Sequence, residues 1–144
     1  MAVLGYFFAK KLKLDPQKVM IMSLLHEVCE IEVGDITPAD NVPKNEKNRI
    51  ETNAARSILN EFDSSGELFE FWLDFENRRT PEGILANQLD KLEMMFQVWD
   101  YEKEQNLVMN NFYKTMEERI KQGFYSDEIL KYYREMQKER NEKV

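Results

Sequence analysis

From Pro81 onward, Leu85, Leu89, Leu92, Phe96 and Trp99 return every three or four positions, a spacing that makes one continuous face only on an α-helix. Thr80-Pro81 ahead of them reads as an N-cap followed by proline in the first helical turn. A helix this long needs helical partners to bury its stripe, because no segment of the sequence alternates as a strand would. The rest of the chain supplies them. Val3, Leu4, Phe7, Phe8 and Leu12 mark a first helix. Asp15-Pro16 starts a second, Gln17 to Glu30, whose apolar residues cover most of its circumference and predict a central position; Gly34 stops it. Lys44 to Phe62 carries Ile50, Ala54, Ile58 and Phe62 on one stripe. After the Ser64-Ser65-Gly66 turn, Leu68, Phe69, Phe71, Trp72 and Phe75 predict a short aromatic helix, packed in the core or at a contact between two chains. Phe112, Met116 and Ile120 mark another, and Ser126 reads as the cap of the last. Asp35 to Pro43 has two prolines and no periodicity, so an ordered loop is expected there. The fold class predicted is all-α: one compact helical bundle of six to seven helices over residues 1–144.

Composition narrows what such a bundle can do. Twenty basic against 27 acidic residues leave a net charge of −7, which argues against binding a DNA or RNA polymer through its phosphates. A small phosphate ester remains compatible, because a bound divalent cation reverses the local field. Cys29 is the only cysteine, so no intrachain disulfide forms and a cytoplasmic location is expected. No apolar run approaches the roughly 20 residues that span a membrane, and the first residues have neither the basic start nor the cleavage site of a signal peptide.

Few residues offer chemistry. His26, the only histidine, sits in the most apolar helix, with Glu27 beside it and Glu30 one turn on. Carboxylates in so apolar a helix need compensation, and a divalent metal is one form of it. The alternative places Glu27 and Glu30 at an exposed edge and leaves His26 hydrogen-bonded in the core. Asp90 flanks the stripe of the long helix with Ala86 and Met94, either as a half-buried functional carboxylate or as a surface group paired with Lys91 or another cation. Cys29 three residues from His26 reads as a buried structural cysteine rather than a nucleophile. There is no G-x-S-x-G elbow, Walker A sequence or G-x-G-x-x-G.

The run "LLHEVCEIEVGDITPADN", the later "QLDKLEMM" and "NVPKNEKNRIETNAARSIL" between them carry a resemblance. The sequence resembles the HD-superfamily metal-dependent phosphohydrolases, and within them the 5′-deoxynucleotidases, from about Met1 to about Tyr101. That resemblance implies a helical fold holding a divalent cation (Mn²⁺, Co²⁺, Mg²⁺ or Zn²⁺) and a nucleoside 5′-monophosphate as substrate. His26 and Asp90 match metal ligands. Glu27 stands where the family has its ligand Asp. Glu30 matches an acid implicated in proton transfer, and Asp35 a second acid near the substrate. Glu27 in place of Asp shifts the carboxylate by about 1 Å, a scale to which metal geometry is sensitive. The family also has an earlier metal-binding His, ahead of the stretch that resembles Ala2 to Lys11. With His26 alone, the sequence is expected to lack the family's N-terminal helix or to have lost that ligand. Its metal should then be held weakly, and an alternative implied role is a catalytically impaired binding or assembly module. Relatives are often dimers, so the resemblance also implies a homodimer.

Overall fold

The computed structural model describes residues 1–123 and 125–143. Among these residues every regular element is helical: α1 (Ala2–Leu12), α2 (Pro16–Leu25), α3 (Glu30–Val33), α4 (Lys44–Phe62), α5 (Glu67–Asn77), α6 (Pro81–Gln105), α7 (Asn110–Lys121) and α8 (Asp127–Lys143), with a 3₁₀ turn at Pro38–Asp40. The all-α prediction holds. The helix count rises by one because the second predicted helix is broken. After Leu25 the backbone tightens to three-residue bonds, Val28 N–H to Leu25 O at 2.9 Å and Glu30 N–H to Glu27 O at 2.9 Å, before α3 resumes. Gly34, at φ 69°, then ends α3 as expected. No helix of the described residues is long and apolar enough to cross a membrane.

The chain divides into two compact units, Met1–Asn87 and Gln88–Val144, with the division inside α6. In the first unit α1 packs on α2, α2 on α5, and α4 on both α3 and α5. Asp15 caps α2 as predicted, its Oδ1 accepting the N–H of Gln17 at 2.9 Å and of Lys18 at 3.1 Å. The face of α1 that meets α2 is Gly5, Phe8 and Ala9, whereas Val3 and Phe7 of the predicted stripe are exposed. Proximity explains the difference: a Cβ on Gly5 would lie 3.0 Å from Val19 Cγ1 and 3.1 Å from Ser23 Oγ, so small residues let the two backbones close. The core between α4 and α5 is Ala54, Ala55, Leu59, Phe69, Trp72 and the buried Cys29. Phe69 and Trp72 stack with centroids 6.0 Å apart, so the aromatic helix is explained by burial.

One corner of this unit is built around a buried carboxylate. Asp74 accepts from Lys18 Nζ at 2.8 Å, the Thr80 hydroxyl at 2.6 Å and the Thr80 N–H at 2.9 Å. Burial pushes the Asp74 carboxyl up, but these donors outweigh it and hold the group below its ordinary range. Thr80 also accepts the Gly83 N–H at 3.2 Å, as the predicted start of α6 requires. A Cβ on Gly83 would fall 2.6 Å from the Asp74 carbonyl oxygen and closer still to Asp74 Oδ1. Gly83→Ala is therefore expected to destabilise the protein by about 1–3 kcal/mol in denaturant unfolding. At an open helical site the same change would stabilise by up to about 1 kcal/mol, so the sign of the shift tests this close approach.

The second unit buries Leu89, Leu92, Met95, Met116, Ile129 and Tyr133. Its polar centre is Glu102 at the end of α6. Arg140 Nε donates to Glu102 Oε2 at 2.6 Å and Arg140 Nη2 to Oε1 at 3.0 Å, while the Met109 N–H and the Tyr113 hydroxyl donate at 2.6 and 3.1 Å. Ser126 precedes α8, but its buried hydroxyl makes no hydrogen bond among the described residues, so it is not the side-chain cap the sequence predicts.

Candidate functional site

His26 stands at the C-terminal end of α2, where the last helical carbonyls need partners. Its Nδ1 lies 2.8 Å from the carbonyl oxygen of Ser23. A carbonyl only accepts, so Nδ1 donates its hydrogen to Ser23 and Nε2 is the ring nitrogen on the opposite side. The ring rests on Phe75 with centroids 5.4 Å apart, and the indole N–H of Trp72 donates to the His26 carbonyl at 3.3 Å. Three groups on α2 and α5 thus hold His26 in place, an arrangement typical of metal-ligating histidines. The break in the helix belongs to the same local design, since the His26 carbonyl turns to an indole on another helix.

Nε2 points toward Glu27, whose Oε1 is 3.5 Å away. The imidazole side chain is 16% exposed and that of Glu27 68%. Two ligands at about 2.1 Å from one divalent ion, at roughly 90–110° to each other, lie about 3.0–3.4 Å apart. The His26–Glu27 pair therefore fits one edge of a coordination polyhedron with a small closing movement, and the extra methylene of Glu27 is accommodated by its exposure. Among the described residues no group of three or more His, Cys, Asp and Glu side chains is gathered closely enough to hold a metal unaided.

Glu30 begins α3 half-buried. Burial raises its carboxyl above the usual range, and the charges of Glu27, Asp35 and Glu51 raise it further, against a smaller opposing effect of His26. The four carboxylates and the imidazole thus share one electrostatic neighbourhood. Asp35 is exposed just after Gly34. The loop that follows is ordered, as predicted: Asp40 Oδ2 accepts the Thr37 N–H and hydroxyl, both at 2.7 Å, and Lys47 Nζ donates to the Ile36 carbonyl at 2.5 Å. Glu51 was not legible as a member of this group. Its position on the polar side of α4 becomes meaningful only once α4 packs on α3; it also pairs with Lys47 at 3.4 Å. It lines a polar cavity of about 120 Å³ together with Asn48, Thr52 and Glu76, a cavity that neither Glu30 nor Asp35 lines.

Cys29 is buried, and burial first, then the charges of Glu51, Glu76 and Glu30, push its thiol up to about 11. That is the structural cysteine expected, not a nucleophile. Asp90 lies in the second unit. Its side chain is 22% exposed and its Oδ2 is 2.6 Å from Lys91 Nζ, so the half-buried flank placement and the pairing with Lys91, read as alternatives in the sequence, are both present.

Comparison with known proteins bears on the same residues. The sequence pattern defining the HD domain matches residues 1–129. The chain is 35% identical over 133 residues to the 5′-deoxynucleotidase HDDC2 of Mus musculus, with 90% of this chain and 65% of that protein covered. It is 34% identical over 119 residues to the 5′-deoxynucleotidase HDDC2 of Dictyostelium discoideum, covering 76% and 63%. It is 35% identical over 99 residues to the 5′-deoxynucleotidase hdd1 of Schizosaccharomyces pombe, covering 65% and 50%. The chain thus spans less than two thirds of the length of these relatives. Taken with a helical fold that sets a histidine and its neighbouring carboxylate at the end of a central helix, the match shows that this chain belongs to the HD-domain family, as a 5′-deoxynucleotidase-like member.

Proposed function

We propose that residues 1–144 act as a single HD-like domain of a metal-dependent phosphohydrolase that cleaves (deoxy)nucleoside 5′-monophosphates. The observation that carries this reading is the set imidazole of His26, with its Nε2 3.5 Å from Glu27 Oε1. The relatives named as 5′-deoxynucleotidases supply the substrate class. His26, Glu27 and Asp90 are the proposed metal ligands; the single imidazole among oxygen donors favours Mg²⁺ or Mn²⁺ over Zn²⁺ and a weak affinity. A divalent cation held there supplies Lewis-acid polarisation of the phosphoryl group. Glu30, whose burial and acidic neighbours keep its proton closer to neutral pH than an ordinary carboxyl would, takes a proton from the attacking water and returns it to the departing 5′-oxygen. Asp35 borders the substrate from the loop. The protein is proposed to work in the cytoplasm as a homodimer on a small molecule, and not on DNA, RNA or a membrane.

A second reading, a binding or assembly module with impaired catalysis, is favoured by one contact: Lys91 already occupies Asp90 Oδ2 at 2.6 Å. One experiment separates the two. The purified protein is stripped with a chelator, reloaded with Mn²⁺, Co²⁺, Mg²⁺ or Zn²⁺, and assayed for phosphate release from a panel of deoxynucleoside monophosphates, with metal binding followed by calorimetry. Metal-dependent turnover that disappears in His26→Ala is the expected result. Metal uptake without release of phosphate from any member of the panel would leave only the module.

A further inference from the structure

The second unit contains a cavity of about 280 Å³, close to the lower end of the roughly 300–1,000 Å³ typical of small-molecule sites. Its walls follow from helical spacing. Phe112, Thr115, Met116 and Arg119 stand at i, i+3, i+4 and i+7 on one face of α7, and Lys91 and Met94 stand at i and i+3 on α6. Tyr125 lies on the same cavity with only 7% of its surface exposed. Two thioethers and two aromatic rings thus make up half of the eight lining residues, and Asn111 and Thr115 add neutral polar groups.

The polar groups are unevenly distributed. Both charged residues of the lining are cations, Lys91 and Arg119, and no carboxylate is among the described residues that line it. In a chain of net charge −7, this is a local reversal of sign. Tyr125 senses it: burial raises its hydroxyl, the positive charge of Arg119 opposes that, and the charge of Asp90 adds to the rise. Neither cation is exhausted by its protein partner. The guanidinium has five N–H donors and the ammonium three, more than the contacts of Lys91 with Asp90 and of Arg119 with Tyr125 can use. An apolar chamber with two cations at its edge discriminates against neutral ligands, which leave the cations desolvated, and against bare inorganic anions, which leave the thioethers and rings uncovered.

The geometry points to a binding site for a small organic anion, one carboxylate, sulfonate or phosphate group on an aromatic or aliphatic body. Arg119 is its main anion anchor, Lys91 its secondary one, and Met94, Phe112 and Met116 hold the body. This site lies wholly in the second unit and does not rest on the phosphohydrolase reading.

The test uses 2-naphthoate as probe and its neutral amide as control, added to the intact protein labelled with ¹³C in its methionine methyl groups. Naphthoate is expected to shift the Met94 and Met116 signals saturably and to bind at least about tenfold more tightly than the amide, since a hydrogen bond to a charged group contributes about 1.5–3 kcal/mol. Arg119→Gln should remove most of that advantage and leave the weak binding of the amide unchanged. Phe112→Ala, at the exposed rim, should weaken both compounds. Equal affinity for the acid and the amide, naphthoate binding indifferent to Arg119→Gln, or no saturable shift at Met94 and Met116 would each overturn the proposal. The acid-against-amide comparison needs no variant, so a poorly folded Arg119→Gln protein would not protect it.

Discussion

Glu30→Gln is expected to lower hydrolysis of deoxynucleoside monophosphates by about 10²–10⁴-fold, the usual contribution of a positioned acid–base group, while the folded protein gains stability at neutral pH. The two effects share one cause. Burial and the charges of Glu27, Asp35 and Glu51 raise the Glu30 carboxyl, which makes it a better proton carrier near neutrality and a worse anion to hold in the fold. For an acid raised on folding, the protonated form is the favoured one, so stability is highest at low pH and declines as pH climbs from the ordinary carboxyl value through the raised one. Glutamine keeps the shape and deletes the charge. Its stability advantage over the parent should appear above that range and vanish below it. Turnover measured beside thermal unfolding at several pH values tests both halves. Normal turnover with a lower midpoint would make Glu30 a structural group and remove it from the mechanism.

Glu102→Ala should lower stability of the second unit by about 3–5 kcal/mol, the range for removing one partner of a buried ion pair. The side chain of Glu102 is 3% exposed and that of Arg140 14%. Truncation strands the guanidinium, the Tyr113 hydroxyl and the Met109 N–H together. Against total stabilities of about 5–15 kcal/mol for a domain, such a loss is large. Replacing both ends by apolar groups, Glu102→Leu with Arg140→Met, is expected to recover much of it, because no charge is then left buried alone. The same carboxylate gives an acid limit. Arg140 holds it below the usual range, against the effect of burial, with help from Met109 and Tyr113. Its contribution is complete above the unfolded carboxyl value, about 4.3, and is lost as pH falls from there through the lower folded value. Denaturant midpoints of parent and double variant should therefore converge below about pH 4. Parallel curves throughout would show that the pair contributes nothing specific.

What could be read from the residues alone was what is local. The cap at Asp15, the stop at Gly34, the ordered loop to Pro43 and the long stripe of α6 depend on neighbours within a turn or two, and each stands where the spacing predicts. The break between Leu25 and Glu30 was hidden because Val28 and Cys29 continue the apolar pattern without glycine or proline. The bond that accompanies it comes from Trp72, 46 residues away. Distance in sequence also concealed the Asp74–Lys18 and Glu102–Arg140 pairs. A carboxylate inside an aromatic run such as "FWLDFE" was a visible signal that Asp74 needed a buried partner, though not which one. Within the candidate site, His26, Glu27 and Glu30 stood out from their order in one predicted helix, while the hydrogen bond that orients the His26 ring depends on a carbonyl no side-chain pattern reveals.

The raised thiol of Cys29 turns the core into its own clock. With its acidity pushed up to about 11 inside the α4–α5 packing, the group is almost wholly un-ionised and shielded at neutral pH, so an alkylating reagent meets a reactive sulfur only during excursions that part those helices. As the sole cysteine of the chain, it gives one signal with no background. The alkylation rate, compared with that of the unfolded chain, measures how often the ground beside His26 opens, and a cation that ties His26 to Glu27 should slow that ticking in proportion to its occupancy.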